Sequence, residues 1–194
     1  MKKKLFFISV ISFLATAFIF AQNTEWKFDA DHTNIQFSAV HMGISEVSGE
    51  FKDYSGTILA GEDDFTDAQI KVIIKSASID TDNQKLDDHL KSEDFLYVEE
   101  YPEIRFVSSY LKKQDGDNYT MEGELTIRGV TKTERFDVVH RGTVDAMDET
   151  RAGFKIKGTI NRFDYDVDWN KTISQGLVVS KEINIICDVE LIKE

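Results

Sequence analysis

The chain has a single cysteine, Cys187, among its 194 residues. No intramolecular disulfide is available, so an exported fold would have to be held by its core. No cysteine follows the apolar stretch near the N-terminus, which excludes a lipoprotein anchor at that point. The sequence has no Pro/Gly/Ser-rich linker, no repeat of fixed period and no low-complexity tract, and so nothing suggests two domains. Positive charge is scarce as well. Lys and Arg number 23 against 35 Asp and Glu, and three of the 23 are Lys2, Lys3 and Lys4. The residues after position 21 therefore carry 20 against 35, a net of −15. Such a surface repels nucleic acid and anionic membrane faces and suits small molecules or basic partners, although clustered acids also serve as a solvated exterior.

Signatures of catalysis are also missing. There is no Gly-x-Ser-x-Gly elbow and no Gly-rich phosphate loop. The four histidines, His32, His41, His89 and His140, form no His-x-Glu-x-x-His cluster, and no second cysteine exists for a structural zinc site. His32, after Asp31, is expected to hydrogen-bond locally, and His140 to finish the apolar face of a strand. Cys187 reads as a small buried hydrophobe. Paired acids such as Glu99-Glu100 and Asp87-Asp88 read as solvated faces. We therefore assign no catalytic residue, metal or cofactor, and expect no enzyme.

What is present begins with a leader. Lys2 to Lys4 precede an apolar run from Leu5 to Phe20 that ends at Ala21, the pattern of a cleaved secretory signal over residues 1–21. The rival reading is a retained anchor, because a run of about 16 residues approaches the lower limit of a spanning helix. The remaining 22–194 form one domain able to bury roughly 70% of its unfolded surface. Most of it alternates with period 2, as half-buried strands do. Ile35, Phe37, Ala39 and His41 share one face, with Asn34, Gln36 and Ser38 opposite. Ile70, Val72 and Ile74 repeat the pattern, as do Ile104 and Phe106, then Phe136 and Val138, then Phe154, Ile156 and Ile160. Ile183, Ile185, Cys187, Val189 and Leu191 close the series. Polar turns separate these runs at 61–64, 115–118 and 145–150, which favours antiparallel meander pairing. One segment differs: Asn83 to Lys91 carries Leu86 and Leu90 at helical spacing, with N-cap side chains offered by Asp80, Thr81 and Asp82. About eight strands with one apolar face each form either two stacked sheets or one closed barrel, and periodicity does not separate the two.

Four segments carry a resemblance. Asp31-His32-Thr33 with Val40-His41-Met42-Gly43 and Gly49-Glu50-Phe51 resembles the opening motif of the YceI-like family. Asp88-His89-Leu90 with Tyr101-Pro102-Glu103-Ile104-Arg105-Phe106, the run Gly123 to Lys132, and Asn161-Arg162-Phe163-Asp164 resemble three later motifs in the family's order. The resemblance implies an all-β fold: an extended antiparallel lipocalin-like barrel with one short helix and an apolar tunnel. It also implies binding of an isoprenoid or similar long-chain amphiphile, such as a polyprenyl phosphate, quinone or fatty-acid-like lipid, by a periplasmic or secreted protein. The strand faces then supply wall candidates in Phe37, Ala39, Val72, Ile74, Phe106, Phe136, Val138, Phe154, Ile156 and Ile185. Head-group candidates at the mouth are His41, Met42, Lys85, His89, Arg105 and Arg128. Leu86 stands where family members often carry arginine, which favours a neutral quinone or lipid. Asp166 stands where a glycine is expected. The alternative is an exported enzyme, metal-dependent or interaction module of the same fold, using His and Asp groups at one barrel end. The strand faces admit a homodimer without specifying it, and protein partners are not indicated.

Overall fold

The computed structural model describes residues 23–174 and 176–194; the expected leader over 1–21 lies outside the described residues. The first strands are β1 (Thr24–Phe28), β2 (Asn34–His41), β3 (Ser45–Phe51), β4 (Tyr54–Ala60), β5 (Gln69–Lys75) and the short β6 (Ile79–Asp80). Helix α1 (Gln84–Lys91) follows. After it come β7 (Glu103–Lys113), β8 (Asn118–Ile127), β9 (Val130–Ala146), β10 (Glu149–Asn161) and β13 (Val179–Lys193), with a small hairpin of β11 (Thr172–Ile173) and β12 (Gly176–Leu177) before the last.

All pairings are antiparallel. The order β1-β4-β5-β7-β8-β9-β10-β13 returns to β1 through Trp26↔Lys193 and Phe28↔Leu191, so eight strands close into a barrel. Closure removes the unpaired edges that an open sheet would expose. β13 is long enough to serve two partners on one side: β1 at its C-terminal end, and β2 through pairs from Ile183↔Ala39 to Asp188↔Asn34. β2 continues into β3 and β6 beside the barrel.

The turn between β1 and β2 repairs the ladder where one partner replaces the other. The Thr33 hydroxyl donates to the Glu190 carbonyl and accepts from the Glu190 N–H, and the Asp29 N–H donates to the same carbonyl at 2.9 Å. On the outside of this seam, one guanidinium nitrogen of Arg151 donates to Asp29 at 2.5 Å and to Glu190 at 2.6 Å. His32 Nδ1 lies 3.0 Å from the same carboxylate oxygen, Asp29 Oδ2. This is the local bond expected of His32.

Inward residues follow the period-2 rule. Phe136 and Val138 are buried on β9 while Arg135, Asp137 and Val139 face out or lie at the surface. Two strand glycines let aromatic rings cross the sheet at close range. A Cβ on Gly123 would stand 2.6 Å from the Phe106 ring, and one on Gly158 would collide with the Phe136 ring. Phe106 and Phe136 in turn meet edge to face, 5.6 Å between centroids.

Helix α1 starts where the leucine spacing places it, but its cap is Asn83, whose side chain accepts from the Leu86 N–H. Thr81 does the reverse of capping. Its N–H and hydroxyl donate to the Asp87 carboxylate at 2.9 and 2.6 Å, and Asp87 is buried. The Asp87-Asp88 pair is therefore no solvated face: Asp87 ties the helix to the segment before it, and only Asp88 is exposed. Asp166 takes the left-handed conformation, φ 57°, that a glycine would adopt without steric cost. No helix among the described residues is long and apolar enough to cross a membrane.

Candidate functional site

The barrel encloses a cavity of about 650 Å³, within the roughly 300–1,000 Å³ usual for small-molecule sites. All ten wall positions named from the strand pattern line it, together with Leu86 and Leu90 of α1. Hence the two leucines of the helix are turned toward the tunnel, and α1 covers one barrel end.

That end is where the basic lining groups gather. His41 at the end of β2, Lys85 and His89 on α1, and Arg162 just after β10 all border the cavity there. Trp169 and Phe95 complete this rim. His89 stands edge-on to both rings at 4.9 Å, while its Nε2 lies 3.2 Å from Asp94 Oδ2.

Arg162 is the group sequence reasoning missed. It is 4% exposed, and its Nε–H donates to the Ser180 carbonyl at 2.9 Å. Its two terminal nitrogens reach the carbonyls of Val167 at 2.6 Å, Trp169 at 3.0 Å and Val179 at 3.3 Å. One guanidinium thus holds the chain that covers the mouth between residues 166 and 180. Burial pushes its pKa down from the usual arginine range, and Asp168 opposes that shift. The Asn161-Arg162-Phe163-Asp164 motif was the available signal, since it places a lone cation directly after a buried strand end.

Three of the six mouth candidates do not reach the cavity. Arg105 follows the strand rule it shares with its neighbour: Phe106 points in, so Arg105 points out, where it pairs with Glu103 at 2.8 Å. Met42 occupies the β2–β3 turn at φ 54° with its side chain outside. Arg128, in the β8–β9 turn, donates to the carbonyls of Phe95 at 3.0 Å and Asp166 at 2.8 Å. It moors the cover from behind.

The opposite end is aromatic. Phe65, from the segment 61–68 between β4 and β5, sits 5.0 Å from Trp26, 5.0 Å from Phe154 and 5.4 Å from His140. His140 stacks on Phe154 at 4.8 Å, and burial lowers its pKa. It finishes the apolar face, with its Nε2 3.2 Å from Thr143 Oγ1. Elsewhere, Asp29, His32 and Glu190 bring three possible ligand atoms within 4.8 Å of one another, but the Arg151 guanidinium already supplies the cation between the two carboxylates. Cys187 lies in the wall, its thiol pushed up to about 12 by burial. It is no poised nucleophile.

A closed antiparallel barrel with an apolar interior and polar groups at one opening has the form of a lipocalin-like binding fold. The YceI-like domain model matches residues 26–191, and the chain belongs to that family. It is 35% identical over 198 residues, covering 100% of this chain and 99% of the other, to a UPF0312 protein of Pectobacterium atrosepticum. Its fold is similar to BcnA of Burkholderia cenocepacia, with TM-score 0.73 and 20% identity over 84% of this chain and 98% of that one. A polyisoprenoid binding domain from Saccharophagus degradans superposes with TM-score 0.65 at 11% identity, covering 87% of this chain and 98% of that domain.

Proposed function

We propose that this chain is an exported binding protein, not an enzyme, which holds an isoprenoid or other long-chain amphiphile for sequestration, transport or storage. The observation that carries this reading is the polarity of the cavity: apolar along the barrel, with His41, Lys85, His89 and Arg162 gathered at the helix-covered end. An extended chain would lie along the barrel with its head group among these residues. Burial of about 300 Å² of chain would contribute roughly 7 kcal/mol at 25 cal/mol per Å², so the tail supplies most of the affinity and the head group fixes direction. The family and the polyisoprenoid-binding neighbour support the same ligand class. Arg162 spends its hydrogen bonds on backbone carbonyls, which leaves Lys85 and His41 as the first contacts for a carbonyl, quinone or phosphate oxygen.

The test is to purify the mature protein from its native host, extract it with organic solvent and identify the extract by mass spectrometry. An isoprenoid or long-chain lipid in stoichiometric amount is expected. A clean extract, together with no stabilisation by added polyprenol or quinone, would defeat the reading. N-terminal sequencing of the same material tests cleavage after Ala21.

A further inference from the structure

Strands β4 and β5 are antiparallel neighbours that a turn of two to five residues would join. The chain instead spends residues 61–68 between Ala60 and Gln69. That segment is shaped around one side chain. Asp67 accepts from the N–H groups of Gly61 at 2.7 Å and Glu62 at 3.2 Å. The Phe65 N–H donates to the Glu62 carbonyl, and the Ala68 N–H to the Phe65 carbonyl, both at 3.0 Å. Phe65 itself is held at φ 60°, a region costly for a bulky residue and tolerated where surrounding structure dictates it. Its ring is 2% exposed, enters the barrel and borders the cavity, packed on Trp26, His140 and Phe154.

The cavity therefore ends on a ring delivered from a loop, whereas its sides are made by strands. Phe154 beside the floor and Arg162 at the mouth are eight positions apart along the chain, roughly 26 Å along a strand and roughly 20 Å along the axis at the usual barrel tilt. We infer that Phe65 is the floor that sets the longest apolar chain the tunnel accepts. The inference rests on the lipid-binding reading and adds its specificity-determining residue. Up to the floor, each added methylene gains wall contact. Beyond it, the tail meets a ring fixed by three others and must fold back or hold its head group out of the mouth.

The test is equilibrium binding of delipidated full-length mature protein to linear fatty alcohols and polyprenols of stepwise increasing length. In the wild type, affinity should rise about fourfold per methylene up to a limiting length and then stop rising or fall. Phe65→Gly removes the ring and suits the left-handed backbone. It should move the limit to longer chains. Phe65→Leu keeps an apolar plug of smaller reach and should move the limit by a smaller step, which preserves the test if the glycine variant does not fold. An unchanged limit in the folded variants would overturn the floor. Failure of the wild type to bind any chain would instead defeat the lipid-binding reading, and this inference with it.

Discussion

The two ends of the barrel are closed by different physics. The floor is side chains packed on side chains: Trp26 from β1, Phe154 from β10, His140 from β9 and the inserted Phe65. The mouth is covered by segments outside the main ladder: α1, the turn after β10, and residues 166–178 with their two-residue hairpin strands. Beside the packing of His89, Phe95 and Trp169, that cover is tied down by hydrogen bonds from Asn170 and from two arginines, Arg162 from within and Arg128 from behind. Aromatic packing of the floor is diffuse and redundant, whereas the cover depends on a few donors. Local opening free energies are lowest where buried apolar contacts are few and non-ladder bonds carry the structure. The cover is therefore expected to exchange its amide protons before the floor strands do.

The largest expected effect breaks this asymmetry directly. Arg162→Met leaves the carbonyls of Val167, Trp169 and Ser180 without their side-chain donor, while Val179 keeps that of Asn170, and should cost about 3–5 kcal/mol in urea unfolding. Hydrogen exchange should rise first across residues 166–180 and α1, while the floor strands stay protected. Arg162→Lys should not restore stability, since one ammonium does not reproduce the planar fork. If protection were lost uniformly, the two ends would not be independent. A smaller effect comes from the barrel between them. Gly158→Ala drives a Cβ into the Phe136 ring and should cost about 1–3 kcal/mol as overpacking, with floor and mouth losing protection together.

Much of the barrel was legible in the sequence, and the reasons are local. Each wall position that alternation named lines the cavity because strand direction depends only on residue parity, and Leu86 with Leu90 marked the helix because the polar Asp88 between them breaks a strand's apolar face. The mouth was harder. Arg105 was misplaced by its charge although parity with Phe106 already sent it outward. Met42 and Arg128 sit at positive φ in turns, where the strand rule gives no direction. Arg162 escaped notice because its role depends on carbonyls up to 18 residues away in sequence, contacts that no short-range pattern encodes. Phe65 was invisible for the same reason: its partners lie on β1, β9 and β10.

The floor carries a pH dependence of its own. Burial lowers the pKa of His140 below the ordinary 6.5, with Asp117, Asp64 and Lys113 nearby. The unfolded chain therefore takes up this proton before the folded one does. Stability should fall as pH drops through about 6.5, and the loss should level off below the folded value. His140→Phe keeps the ring stack on Phe154 and should flatten that limb of a stability-against-pH curve. A limb that persists unchanged would place the proton elsewhere.

The smallest effect belongs to the seam where β1 gives way to β2, outside both ends. Asp29 is held down at about 2, first by its hydrogen bond to His32 and then by Arg151, against the opposing effect of burial. Its stabilisation is present above the ordinary 3.8 and is lost as pH falls toward about 2. His32 is shifted the other way, raised above 6.5 by the same Asp29 carboxylate. Its share is therefore complete below 6.5 and lost as pH rises through its folded value. The clasp is strongest between these limits. His32→Asn should abolish the loss on the alkaline side and raise the Asp29 pKa toward the ordinary carboxylate range, leaving the Arg151 contribution in place. Because His32 is exposed, the change in urea midpoint should be slight, and the sharper measurement is its own imidazole titration by NMR. A midpoint at or below 6.5 would show that Asp29 is paired with Arg151 alone, and the seam would then be pinned from one side only.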